Sequence, residues 1–168
     1  MSGQGKSNWS MADVSGKAVT RRVAVAGGRI SIGDEAYGLL AAGRLPKGDA
    51  LAMAEIAGIL AAKQTPALLP LCHPIALNRV LIHSALRPET CSVELFCVAE
   101  IAEKTGVEME ALTGVSVALL TIWDLVKPIN PALEIGSTRL LYKSGGKSGT
   151  WIHPDGLPPE VEAILADL

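Results

Sequence analysis

The sequence predicts an α+β fold, with helices packed on one face of a mostly antiparallel sheet in a ferredoxin-like arrangement. Three observations carry that expectation. Periodicity along the chain reads as strand, two helices, two strands, helix, strand. Hydrophobic residues make up 49% of the chain but aromatics only 4%, so Ala, Leu, Val and Ile must fill the core, which suits helices lying close on a sheet. The length of 168 residues fits one domain able to bury a core. A mean hydropathy of +0.33 further suggests apolar surface buried between subunits.

Each element has a local reason. Residues 1–12 are polar, lack the apolar centre of a signal peptide, and read as a mobile tail. "KAVTRRVAVAGGRISI" is rich in β-branched residues and reads as a strand bent at Gly27-Gly28. "GDEAYGLLAAG" reads as a short helix ending at Gly43. In "KGDALAMAEIAGILAAKQT", Asp49 can cap a helix with Leu51, Ala54, Ile56, Ile59 and Leu60 as its apolar face, and Pro66 and Pro70 stop it. "NRVLIHSALRP" and "TCSVELFCVAEI" read as antiparallel strands joined at Arg87-Pro88-Glu89. The strongest helix runs from Thr105 to about Ile129, with Thr105 and Glu108 at the spacing of a capping box. "LEIGSTRLLYK" is a last strand, and residues 150–168 form a tail that is either disordered or a short helix from Pro159.

A net charge of -2 and a pI of about 5.9 give no nucleic-acid footprint. The basic residues cluster locally instead, which suggests a small anionic ligand. Cys72, Cys91 and Cys97 have no framework spacing and fit reduced thiols. The longest apolar run ends at Asp124 and contains Ser116 and Thr121, so it is expected to be too short and too polar to span a bilayer. The expected location is the cytoplasm, with neither a membrane nor a nucleic acid as partner.

"YKSGGKSG", from Tyr142 to Gly149, ends like a phosphate-binding P-loop. That motif requires a glycine where Leu141 stands, and a helix where Gly149-Thr150-Trp151 and Pro154 follow. The P-loop reading fails on both counts. Glycines that turn N–H groups toward one point, beside Lys143 and Lys147, still suit an anion. A solvated loop is the plainer alternative.

Lys47 precedes a helix N-terminus, where the dipole does not favour it, so it is either an exposed turn residue or placed for a ligand. Cys72 and His73 are adjacent in an extended segment and point opposite ways, so they do not form a nucleophile pair. Cys72 suits a small buried hydrophobe, whereas His73 can donate to a phosphate or act as an acid/base. No spacing supports a metal site. Glu110 falls in a first helical turn, where carboxylates are favoured. Asp124 and Lys127, three apart, are either a surface ion pair or an acid/base pair. Glu108 and Asp124 are roughly 24 Å apart along one continuous helix. One small substrate reaches both ends only if two subunits pack with these helices antiparallel, which predicts a site between subunits.

Taken in order, "DVSGKAVTRR", "KGDALAMAEIAGILAAK", "LLPLCHPIAL", "KTGVEMEALTGVSVALLTIWD" and "IGSTRLLYKSGGKSG" resemble the MoaC family, the cyclic pyranopterin monophosphate synthases of molybdenum cofactor biosynthesis. The matching blocks run from Asp13 to Gly149, read as a single catalytic domain. The resemblance implies a ferredoxin-like core and a homohexamer built as a trimer of dimers. It implies the lyase reaction that converts 3′,8-cyclo-7,8-dihydro-GTP, supplied by a radical SAM enzyme, to cyclic pyranopterin monophosphate and pyrophosphate. No cofactor is implied for the protein itself, while Mg²⁺ is compatible with the pyrophosphate. Lys47, Asp124 and Lys127 correspond to the catalytic residues. Leu71, Cys72, His73, Glu108, Met109 and Glu110 correspond to the substrate-contact region, and Arg22, Lys143 and Lys147 to its basic lining. Lys17 matches a lysine of less defined role. Departures are Trp123 where tyrosine is frequent, Val126 where a cysteine can stand, and Pro128 directly after Lys127. A nucleotide-binding module without catalysis would use the same basic pocket, but would not depend on Asp124.

Overall fold

A computed structural model describes residues 9–168. The elements are β1 (Thr20–Ser31), α1 (Asp34–Ala41), α2 (Ala50–Lys63), α3 (Thr65–Leu68), β2 (Arg79–Arg87), β3 (Ser92–Glu103), α4 (Glu108–Val126), β4 (Glu134–Ser144), β5 (Trp151–Ile152) and α5 (Pro159–Ala166). All neighbouring strands pair antiparallel in the order β2-β3-β1-β4-β5. Without β5, this is the strand order of the expected ferredoxin-like arrangement. The β1–β3 register is continuous from Thr20 opposite Glu103 to Ser31 opposite Ser92. Against β4, β1 slips register on either side of Ala26-Gly27. A side chain at Gly27 would meet Leu141 Cδ1 at 2.7 Å, and one at Gly28 would meet Leu119 Cδ1 at 2.7 Å. The predicted bend is thus a place where the sheet and α4 leave no room.

The two long helices cover one sheet face, as expected. Their core joins Ala24, Ala26 and Ile30 of β1, Leu95, Cys97 and Ala99 of β3, and Val115, Leu119 and Ile122 of α4. The opposite face carries a smaller cluster of Val23, Val25, Phe96, Val98 and Leu141, capped by fully buried Val161 of α5. The segment after Gly149 therefore takes the helical alternative and folds back over the sheet.

Two helix details differ from the sequence expectation. Asp49 caps α2 as predicted, its Oδ1 accepting from the Leu51 and Ala52 amides at 3.0 and 3.1 Å. The buried face of α2, however, is Ala50, Ala54, Gly58, Ala61 and Ala62, while Ile56 and Leu60 point outward. The reason is how closely α2 approaches α4. A side chain at Gly58 would meet the Gly114 carbonyl at 3.0 Å, and one at Gly114 would meet Cys97 Sγ at 2.6 Å. Only small residues fit between the helices. The predicted capping box is also absent: α4 starts at Glu108, after Val107, with no side-chain cap. Glu108 is engaged by Lys143 instead.

By length and composition α4 could cross a membrane, contrary to the expectation from its polar residues, but half of its apolar stretch is buried inside the fold. Of the N-terminal segment expected to be mobile, residues 1–8 lie outside the described residues. Ala12 is engaged: its carbonyl lies 2.9 Å from His73 Nε2.

The α2–α4 contact makes a testable statement. Gly114→Ala would gain about 1 kcal/mol of helix propensity, but overpacking against Cys97 costs about 1–3 kcal/mol. A net loss of stability is expected in urea unfolding. Adding Cys97→Ala should recover part of that loss, which a double-mutant cycle measures.

Candidate active site

Two groups of side chains stand out, one at each end of α4. At its C-terminal end, Asp124 is held between two lysines. Lys47 Nζ donates to Asp124 Oδ2 at 3.0 Å and to the Asp124 carbonyl at 2.8 Å, while Lys127 Nζ lies 2.7 Å from Oδ1. Local structure explains the meeting. Gly48, with φ of 101°, and the Asp49 cap turn the chain into α2, so Lys47 is left just ahead of the helix, against the last turn of α4. Lys127 keeps helical angles (φ -51°, ψ -26°) and its amide reaches the Trp123 carbonyl at 2.9 Å, although Pro128 follows. A residue before proline usually avoids that conformation. Here it keeps the ammonium over Asp124.

The two lysines hold the Asp124 carboxyl below the ordinary carboxylate range, Lys127 contributing most and Lys47 next. The carboxylate is therefore ionised at neutral pH and offsets the repulsion between the two cations. All three side chains are solvent-accessible. The trio is open to a ligand.

At the N-terminal end of α4 lie two adjoining cavities. The larger, about 480 Å³, is lined by Lys17, Thr20, Arg22, Glu108, Lys143 and Lys147, among others. The smaller, about 220 Å³, is lined by Leu71, Cys72, His73, Met109 and Glu110 with Ala12. Gly106 and Glu108 line both. Glu108 is the carboxylate between them, accepting from Lys143 Nζ at 3.1 Å, an interaction that takes the place of the predicted cap. Arg22 is fixed by the Glu103 and Lys104 carbonyls at 2.9 and 3.2 Å. The "SGGKSG" loop runs beside it. Gly145 and Gly146 have φ of 99° and 72°, and a side chain on either would strike Arg21 or Arg22. The glycines are required by close approach as well as by conformation.

In the smaller cavity Glu110 is 3% exposed. Burial raises its carboxyl above the ordinary range, and the neighbouring Glu108 adds to this. Burial, then the Glu110 charge, raises the Cys72 thiol. The described residues contain no cluster of three metal-ligating side chains.

The structure thus sorts the sequence-predicted residues into a trio of Lys47, Asp124 and Lys127, and two adjoining compartments at the other end of the same helix, one basic and one of mixed polarity. Thr20 also lines the basic cavity. Sequence reasoning did not single it out because nothing distinguishes a strand threonine from its neighbours.

A sequence model of the MoaC family matches residues 11–146. The chain belongs to the MoaC family. Relatives called cyclic pyranopterin monophosphate synthase include one from a Nocardioides species, 49% identical over 86% of this chain and 89% of its own. One from a Roseiflexus species is 50% identical over 85% and 90%. Another, from Novosphingobium aromaticivorans, is 50% identical over 84% and 88%. The stretch that matches the MoaC model carries the trio and most of both cavities, but stops before Lys147, β5 and α5.

Burial of Glu110 has a consequence for stability. Its folded-state pKa lies above that of the unfolded chain. Stability therefore falls as pH rises through the unfolded value, and the penalty is fully present above the folded one. Glu110→Gln should raise Tm at neutral pH, with the gain shrinking in acid below the ordinary glutamate range. Thermal melts from pH 3 to 8 measure this.

Proposed function

We propose that this member of the MoaC family is a lyase that converts 3′,8-cyclo-7,8-dihydro-GTP to cyclic pyranopterin monophosphate with release of pyrophosphate, in the cytoplasm. A radical SAM enzyme supplies the substrate, the protein itself needs no cofactor, and the released pyrophosphate is compatible with Mg²⁺. The chemical assignment rests most on Asp124, whose two carboxylate oxygens each take one lysine, Lys47 at 3.0 Å and Lys127 at 2.7 Å.

The compartments suit the parts of the substrate. A triphosphate needs several cations, and Lys17, Arg22, Lys143 and Lys147 line one cavity. The ring system fits the adjoining space of Leu71, Cys72, His73, Met109 and Glu110. Polar ring edges meet His73 and Glu110 there, and the ring faces meet Leu71 and Met109. Converting the guanine-derived ring to a pterin requires proton transfers, within the reach of an ionised Asp124 as base and two ammonium groups as acids. A sugar hydroxyl then attacks the α-phosphorus, its proton passes to a base, and the bond to the pyrophosphate oxygen breaks. Lysines stabilise the charge that develops on the leaving group.

The trio and the cavities stand at opposite ends of α4, a helix of 19 residues and so about 28 Å long. One substrate spans that distance only if a second copy of the chain brings its α4 end to the first copy's cavities. A homohexamer of three such dimers satisfies this requirement. The exposed apolar residues Met53, Ile56 and Leu60 of α2 are surface available for such contacts.

The direct test supplies the cyclised GTP derivative and follows pyrophosphate and pterin product. Wild type should release pyrophosphate; none would sink the assignment. Asp124→Asn and Lys47→Ala should each lower turnover about 10²–10⁴-fold, the usual contribution of acid/base catalysis, with the fold intact by circular dichroism. A binding module without catalysis would be indifferent to Asp124. Mixing Asp124→Asn chains with Arg22→Ala chains should restore part of the activity, because mixed oligomers contain some sites with both groups intact.

A further inference from the structure

We propose that the C-terminal segment, residues 150–168, is a strap that positions the Lys143–Lys147 loop for the anion, with Val161 and Glu160 as its anchoring residues. This inference rests on the function proposed above and goes beyond it, since β5 and α5 lie outside the stretch that the family model matches. The loop is tethered at both ends. β4 enters it, and β5 leaves it to pair back with β4, Trp151 opposite Lys143 and Ile152 opposite Tyr142. The His153 amide adds a bond to the Leu141 carbonyl at 2.8 Å. Lys143 therefore stands on a strand whose outer partner is β5, and Lys147 sits in the turn between the two.

A two-residue strand holds little by itself. What keeps it in place lies further along. Arg139 bonds Asp155 at 2.6 Å across the turn after β5. α5 then lies on the second sheet face, Val161 fully buried against Val23, Val25, Phe96 and Leu141. Arg87 of β2 holds Glu160 at 2.7 Å, and Arg21 donates to the Leu168 carbonyl at 3.0 Å. Arg21 is the immediate neighbour of Arg22, which lines the anion cavity. The segment crosses the sheet from its β4 edge to β2 and is fastened at each stage. Closing the loop costs conformational entropy. The docked helix bears that cost before any ligand arrives, so the two lysines lose less freedom on binding.

The test uses the full chain and inorganic pyrophosphate. Val161→Asp puts a charge into the apolar cluster under α5, and Glu160→Lys opposes Arg87 from a partly buried position beside it. Both should weaken pyrophosphate binding about five- to tenfold by calorimetry, the cost of immobilising one or two long side chains. They should speed tryptic cleavage after Lys147 and raise KM by a similar factor with kcat within about twofold. If Val161→Asp does not fold, Glu160→Lys decides. A folded variant with faster cleavage but wild-type pyrophosphate affinity overturns the proposal, as does a fall in kcat at constant KM. Wild type that binds no pyrophosphate overturns it too. Wild type that binds pyrophosphate without turning over the cyclised nucleotide would remove the enzymatic reading and leave the strap standing.

Discussion

The contact between Gly58 and Gly114 is the constraint on which the arrangement depends. Neither position admits a side chain, because the partner helix backbone and Cys97 already occupy the space. This lets α2 lie along α4 at small-residue distance and fixes its slide. With the register set there, the start of α2 falls beside the end of α4. Lys47, three residues before α2, then meets Asp124 through an ammonium that reaches both a carboxylate oxygen and a carbonyl. Helices held apart by leucines would separate those groups by a side-chain width, beyond hydrogen-bond range. The packing of the core thus reaches directly into the chemistry of the trio.

Electrostatics at the two ends of α4 are built differently. At the C-terminal end, two cations over one exposed carboxylate keep it ionised, and the helix dipole favours cations there. At the N-terminal end, a buried carboxylate beside a second one favours the proton instead. Two acids on one helix are pushed in opposite directions by their surroundings, one by paired cations and the other by burial.

Much of this was legible in the chain. The succession of strands and helices along the chain followed from periodicity and β-branched runs, and Asp49 was visible as a cap because capping is local chemistry. The Asp124–Lys127 pair followed from helical spacing. What was not legible depended on contacts distant in sequence. Ile56 and Leu60 look like core residues until the glycine contact fixes which side of α2 is inward. Thr105 and Glu108 have the right spacing for a cap, yet Lys143, thirty-five residues away, takes the carboxylate. Lys47 could not be tied to Asp124 without knowing that α2 and α4 run antiparallel. The role of Val161 is invisible in "PPEVEAILADL", because its partners come from three strands. Separation of the trio from the cavities, by contrast, was foreseeable from helix length alone.

The cysteines bear on how the molecule meets oxidants. Attack on peroxide or disulfide proceeds through the thiolate. Burial raises Cys97 to about 12, and burial with a neighbouring carboxylate raises Cys72 and Cys91. All three are kept in the slow, protonated form. For Cys72 this matters most, because it lines a cavity open to solvent and to small electrophiles. Burial first, and the Glu110 carboxyl second, favour the protonated thiol there, so the cavity carries a sulfur group of low nucleophilicity.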